Sequence, residues 1–539
     1  MNLRLLAFAL VGVLLVVVSC SGSTTSTTDT TESAPPNSAV AGPQKGGNLD
    51  IAVPVGATRW SPISGDWTTS ELQGARAVYD RLMERDSNDQ PVPELLSKIT
   101  TSATFSIWTL TIRPGVSFHD GSALDSSIVK FNLEAQRMAP STSELLSPIS
   151  SVEAPDPTTV VVTMSSPWST FPEVLASRVG TIASPATVLG FNDAPIGTGP
   201  FSWKGIDAIG ATVLVKNPNY WKKGLPHLDS IRLISVAEAN DRVTGVIDGS
   251  FAMTSVDEPR QLSRIGDLSN RDSKLTVFED RNAEKPKVAI TFNTGRPPFD
   301  RLSARRAVMM ATDKSEILKQ AFDSQGTIAR GMVSDTSPWF TDYGTPQRDV
   351  AQAKKEVEEY TKETGVPLTF QLLVPPDTTM ARVASLWRVQ LAPIGIDVVL
   401  VPADNFSITI STLTGQYQSA LTLGFDSPHP DTYEPIFRGI PAEQAAISSN
   451  ISRYVNPVIT RAFADARSTN DLGKQVDDYK ILQEQVSVDL PSLFLVQLRE
   501  VVIGSPKLRD VTQWSTGSGS TALGQEGATV SLAQVWIAS

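Results

Sequence analysis

The 539-residue sequence holds a single cysteine, Cys20. One thiol excludes an internal disulfide, a Cys-x-x-Cys redox pair and a thiolate zinc site, all of which need two or more. Histidine is nearly as scarce. His119, His227 and His429 are the only three, and their wide separation makes a histidine-built metal centre a poor reading. No His-Glu-x-x-His segment, Gly-x-Ser-x-Gly elbow or Walker A loop occurs, and Gly197-Thr198-Gly199-Pro200 lacks the third glycine of a dinucleotide loop. The 57 acidic residues leave paired-carboxylate hydrolysis open. A positive surplus is also missing: the net charge is −11. That balance disfavours nucleic acid as a partner, and disfavours adsorption to anionic lipid through charge alone. No internal repeat and no Gly/Ser linker divides the chain after residue 45.

What remains is ordinary globular material, 40% hydrophobic and 19% charged, long enough for several cores. The one long apolar run is Leu5–Val18, preceded by Arg4 and followed by Ser19 and Cys20. At fourteen residues it is short for a membrane span, which needs about 20. It reads instead as a secretory signal over 1–19. Val17-Val18-Ser19-Cys20 resembles a bacterial lipobox, in which the cysteine becomes the lipidated first residue. The Ser/Thr-rich stretch that follows lacks apolar residues for a core, so 20–45 is expected to be a disordered tether.

From Gly46 onward the pattern is that of a folded α/β chain. Strands are expected over 48–53, 105–113, 158–164, 212–216, 228–236 and 288–292. Helices are expected over 70–83 and 126–138. The stretch 349–401 is the clearest. Asp349 caps a helix that Gly365 ends, 368–374 is a strand, Asp377 opens a second helix closed by Pro393 and Gly395, and 396–401 is the next strand. Helices alternating with short strands indicate a parallel component. Residues 457–486 read as largely helical.

Five motifs then fall in order over more than 400 residues. Trp108–Arg113 leads through Pro114-Gly115 to Phe118-His119-Asp120-Gly121. Gly197-Thr198-Gly199-Pro200-Phe201 leads to Lys216-Asn217-Pro218-Asn219-Tyr220-Trp221. Phe292-Asn293 leads to Pro298-Phe299-Asp300, Arg305-Arg306-Ala307 and Ala311-Thr312-Asp313-Lys314. Leu391–Asp397 and Gly424–Pro430 follow. Together they resemble the family 5 extracellular solute-binding proteins, the dipeptide, oligopeptide and nickel group, over about 46–510. The resemblance implies an α/β, two-lobed periplasmic-binding-protein-like fold (type II) with an extra inserted lobe. Lobe I would comprise 46–60, 185–285 and 490–539, the inserted lobe 61–184, and lobe II 286–489. It also implies capture of a peptide-like ligand for ABC permease and ATPase subunits. The protein would be an extracytoplasmic monomer anchored to the membrane through lipid on Cys20, and would need no cofactor.

A binder of this kind closes a cleft over its ligand, and a peptide's ammonium wants a carboxylate there. The resemblance assigns that role to Asp426, which follows the strand-like 417–425. The plain alternative is a turn cap at Ser427–Pro430. Leu423 stands where peptide binders often carry Trp, and His429 where they often carry a second acid, so the pocket departs from the usual one around Phe425. Trp67 and Thr68, in the loop after the first strand, and Trp339, in a later loop, are further candidates for the cleft wall. His119, Arg113 and Asp120 read as a structural turn. A metal-chelate carrier, a sugar-like solute and a surface lipoprotein with a vestigial cleft are the competing readings.

Overall fold

A computed structural model describes residues 42–63, 67–190, 194–269, 274–280, 284–344, 346–439 and 447–539. The expected signal segment and Cys20 lie outside the described residues. Within 43–539, three larger sheets organise the described chain. No helix among the described residues is long and apolar enough to cross a membrane.

The first sheet has seven strands in the order Thr276–Phe278, Val501–Gly504, Met253–Val256, Asn48–Val53, Ser230–Ser235, Thr212–Lys216 and Phe201–Ile206. Asn48–Val53 sits near its middle, parallel to both neighbours. The chain then enters the helix Thr69–Val78 through a capping box. The Thr68 hydroxyl accepts from the Glu71 backbone N–H, and the Glu71 carboxylate accepts from the Thr68 N–H at 2.9 Å. This helix ends five residues before the expected Met83. Its end is set from outside. A Cβ on Gly197 would lie 2.1 Å from the Val78 carbonyl oxygen, so only glycine lets that loop press on the helix terminus. The next carboxylate, Asp80, turns inward and accepts from the Thr198 hydroxyl, the Tyr220 hydroxyl and the Trp221 indole at 2.9–3.0 Å. His119 holds the same loop: the Gly197 N–H donates to its Nδ1, and Nε2 therefore donates to the Gly199 carbonyl. The charged turn at 113–121 is thus a clamp on a glycine loop.

A four-stranded antiparallel sheet, Leu96–Thr101, Ile107–Ile112, Thr159–Met164 and Ile149–Asp156, covers its own apolar core with Trp108, Trp168 and Phe171 inside. The second large sheet has six strands in the order Thr327–Ile328, Ser492–Gln497, Lys287–Phe292, Ser419–Gly424, Thr369–Val374 and Asp397–Pro402. Its helices match the reading of 349–401 closely. Asp349 caps Val350–Thr364, which ends at Gly365 with φ 74°, and Asp377 caps Thr378–Leu391, which buries Val383, Ala384, Trp387 and Leu391. The stretch 457–486 is two helices, Pro457–Arg467 and Leu472–Asp489, because Asp471 starts a new cap.

The chain passes from the first sheet to the second between Phe278 and Lys287, and back between Gln497 and Val501. The return comes later than position 490, since Ser492–Gln497 still pairs with Lys287–Phe292. The two passages run side by side. The Leu498 N–H donates to the Pro286 carbonyl at 2.9 Å, and the Arg499 guanidinium grips both oxygens of Glu279 at 2.9 and 3.0 Å.

A second link ties the four-stranded region to the helices beside the second sheet. The fully buried Asp431 accepts from the Trp168 indole and the Thr170 hydroxyl, each at 2.8 Å, and from the Arg467 guanidinium at 2.6 Å. Burial alone would push its carboxyl up, but Arg467 and the neutral donors outweigh that and hold it below the ordinary value. Breaking a buried pair from one side leaves an uncompensated charge, at about 3–5 kcal/mol. Asp431→Asn is therefore expected to lower unfolding stability by about that amount in urea titrations. Asp431→Asn/Arg467→Met should recover part of it. A single-variant loss well under ~1 kcal/mol, the scale of an exposed pair, would show that the carboxylate is not the link.

Candidate functional site

Four charged residues converge where the chain passes between the two large sheets. Asp257 follows the strand Met253–Val256 and Glu500 precedes Val501–Gly504; these strands are antiparallel neighbours, with Val256 opposite Val501. Lys285 lies two residues before Lys287–Phe292, and Asp426 two residues after Ser419–Gly424; Lys287 is opposite Gly424. The pairing register thus puts two charges at the end of each sheet, on the passage itself.

The acids feel one another. Surrounding protein desolvates Asp257, and the negative neighbours Glu258 and Glu500 add to that, so its carboxyl is pushed up to about 7 against the pull of Arg242. Its side chain is nevertheless open to solvent. Glu500 is raised as well, first by desolvation and then by Asp426, while Lys285 opposes the rise. Carboxylates raised by burial and by one another favour an incoming cation.

The Asp426 turn is built from both sides. Phe425 adopts a left-handed φ of 58°, a strained conformation for a non-glycine residue. Its ring is wedged among Tyr433, Phe437 and Phe494. Its carbonyl accepts from the Lys287 ammonium at 2.7 Å. The Ser427 N–H donates to the Tyr433 hydroxyl, which donates back to the Ser427 carbonyl. Asp426 is held exposed at the tip. Leu423, three residues earlier and within the strand, is 58% exposed.

The other candidates lie elsewhere. His429 and Trp339 are inside the core beside the second sheet, 3% and 6% exposed, ring edge against ring face at 4.6 Å, with Tyr479 against both. His429 Nδ1 accepts from the Asp431 N–H, which places it next to the Asp431 link. Trp67 belongs to the first-sheet side. Its ring stacks on Tyr79 at 6.2 Å, and its buried indole N–H has no partner among the described residues. It lines a pocket with Arg76, Asp80 and Arg81. Thr68 is exposed as the helix cap, and the adjacent Thr69 and Ser70 line a recess with Thr254 and Ser255, just before Asp257. Asp426 and Thr68 thus approach the passage, whereas His429 and Trp339 do not. Asp257, Glu500 and Lys285 had no signal in the linear pattern beyond their positions beside strand ends. Among the described residues no three His, Cys, Asp or Glu side chains gather as a metal ion would require.

Comparison with known proteins places this geometry in context. The family described as bacterial extracellular solute-binding proteins, family 5, middle region, matches residues 90–439. The glutathione-binding protein GsiB of Pectobacterium atrosepticum is 27% identical over 479 residues, covering 85% of this chain and 90% of its own. Among solved structures, DppA of Helicobacter pylori in complex with the peptide STSA aligns with a TM-score of 0.76 at 20% identity, covering 92% of this chain and 99% of that one. The oligopeptide-binding protein AppA of Bacillus subtilis, in complex with a nonapeptide, aligns at 0.75 and 19% identity, covering 92% and 100%.

Burial lowers the His429 imidazole to about 3, against the pull of Asp431. Because the folded value is depressed, its contribution to stability is complete above about 6.5 and is lost as the pH falls toward 3. The slope is about 1.4 kcal/mol per pH unit within that window. His429→Gln is expected to flatten the stability–pH curve there by about that slope, with the remaining slope from His119 and His227, which burial also lowers, and from the carboxylates that folding shifts. Equal slopes for the two proteins would show that His429 is protonated in the native state.

Proposed function

The chain belongs to the bacterial extracellular solute-binding proteins of family 5, and from that premise we propose that it captures a small peptide-like solute bearing a free ammonium, which it hands to an ABC-type importer. The family is one of binding proteins for such importers, not of enzymes. The observation that carries the proposal is the convergence of Asp257, Glu500 and Asp426 on the passage between the two sheets. An ammonium entering here would relieve the repulsion among the acids, with Asp426, exposed at the tip of its braced turn, as the carboxylate that meets it. The GsiB relatives, named for glutathione, support a peptide-sized ligand. Lipidation at Cys20 would keep the protein at the outer face of the cytoplasmic membrane, where a permease can receive its cargo.

Two experiments test this reading. Calorimetric titration of the purified protein with glutathione and with di- and tripeptides is expected to show saturable binding, and Asp426→Asn is expected to weaken it tenfold or more, about 1.4 kcal/mol. Unchanged affinity in that variant would reduce Asp426 to a turn residue. Failure of every peptide to bind would direct the search to non-peptide solutes. Cys20→Ala is expected to move the protein from the membrane fraction of its host to the soluble extracytoplasmic fraction, and continued sedimentation with membranes would remove the lipid anchor from the proposal.

A further inference from the structure

The Ala311-Thr312-Asp313-Lys314 motif takes no part in the passage between the sheets. It leads into the helix Lys314–Phe322, which lies beside Thr327–Ile328, the strand at the outer edge of the second sheet. A groove of about 420 Å³ opens there, walled by the start of this helix and by parts of 328–348. None of Asp257, Lys285, Asp426 and Glu500 lines it. A smaller cavity of about 30 Å³ shares Met309, Lys314 and Arg330 with the groove as walls, and Met332 and Phe494 are among its others.

The charges of the groove are unequally matched. Arg348 stands 3.7 Å from Asp313, whose carboxylate also caps the helix by accepting from the Glu316 N–H at 3.0 Å. Arg330 pairs with Asp342, and its guanidinium lies 5.6 Å from the centre of the Phe340 ring. Lys314 has no such partner. It is half-buried, and among the described residues its one hydrogen bond goes to the neutral Ala329 carbonyl at 3.1 Å. Burial with no facing acid lowers its ammonium to about 8. Three cations and two acids line the groove, so one positive charge is left over, and it belongs to Lys314. The Tyr343 hydroxyl, covered by its neighbours, lines the smaller cavity without a hydrogen-bond partner among the described residues. Unmet donors in adjoining spaces call for an acceptor.

We propose that Lys314 and Arg330 hold the carboxylate of a small organic acid in this groove, with its short apolar tail toward Met309 and the smaller cavity. A guanidinium has five donors, and among the described residues Asp342 takes one of them. The Arg330–Asp342 pair is 49% and 44% exposed, and a pair in that setting is weak enough to share its cation with a ligand. The walls choose the tail. Met309, Met332 and Phe494 offer no donors, so an anion polar all round, such as phosphate, would turn oxygens toward apolar surface. The methionines can also adapt to an aliphatic chain. The site stands apart from the passage and does not depend on the capture of an ammonium there.

Butyrate is the probe, butyramide the uncharged control of the same shape, and inorganic phosphate the control without a tail. In ligand-observed NMR titrations of the purified protein, butyrate is expected to saturate and to bind at least tenfold more tightly than either control. Lys314→Gln is expected to weaken butyrate tenfold or more, and Lys314→Arg to retain it. Arg330→Gln, at a half-exposed position that folding tolerates, is expected to weaken it about threefold. Asp426→Asn is expected to leave it unchanged. Absence of saturable butyrate binding overturns the proposal, and so does butyramide binding equally well. Equal binding of phosphate would reduce the groove to a basic patch and remove the ligand class. Unchanged affinity in Lys314→Gln would make Lys314 a structural lysine that only holds the Ala329 carbonyl, and unchanged affinity in Arg330→Gln would take the carboxylate out of this groove. Loss of butyrate in Asp426→Asn would place it in the passage instead, which overturns this site and leaves the capture reading standing.

Discussion

The Arg499 guanidinium and the Glu279 carboxylate face each other in a two-pronged bond across the only two chain passages that join the large sheets among the described residues. Paired planar groups of this kind are directional as well as strong. With Leu498 bonded to Pro286, the pair makes the passages a narrow double strap. Everything that gives the site its character sits at the ends of that strap. Asp257 and Glu500 are where they are because Val256 lies opposite Val501, and Lys285 and Asp426 because Lys287 lies opposite Gly424. Move the strap by one residue and the alternation of the strands would turn these side chains to other faces.

The buried charges fall into two groups, and the difference between them separates scaffold from site. Asp80 and Asp431 are each surrounded by donors: three neutral ones for Asp80, two neutral ones and Arg467 for Asp431. Lys287 is equally well served. These groups repay their desolvation internally and hold pieces of the fold together. Two charges beside the passage are placed differently. Asp257 is pushed to about 7 by its surroundings and like-charged neighbours, and the Lys285 ammonium has no partner among the described residues.

Much of the architecture was legible in the residues because local chemistry dictates it. Asp349, Asp377 and Gly365 mark helix ends where the structure has them, since a capping carboxylate and a left-handed glycine act within one turn. Where tertiary contact decides, the pattern misled. The helix after Trp67 stops at Val78 because a glycine loop more than a hundred residues away presses on its end, and no periodicity announces that. The same holds for the site. Asp426 was visible through its motif, and its turn is built by the aromatic residues around Phe425. Asp257, Lys285 and Glu500 come from three remote segments, and only the pairing of strands unites them. Conversely, His429 and Trp339 look like pocket residues in the linear pattern, yet their rings meet in the core, where aromatic packing beside the Asp431 link accounts for them.

The placement of charge also bears on how capture is coupled to closure. Two of the acids belong to one sheet's end, while the third acid and the unpartnered lysine belong to the other's. A solute that satisfies only one side gains little from the two sides coming together. A solute carrying both signs of charge close together satisfies both, and the gain is largest when the recess is tight and water is excluded, because each interaction strengthens as the local dielectric falls. A ligand shifts a conformational equilibrium only by its differential affinity for the two states. The straps that join the sheets also fix which charges stand at the two sheet ends.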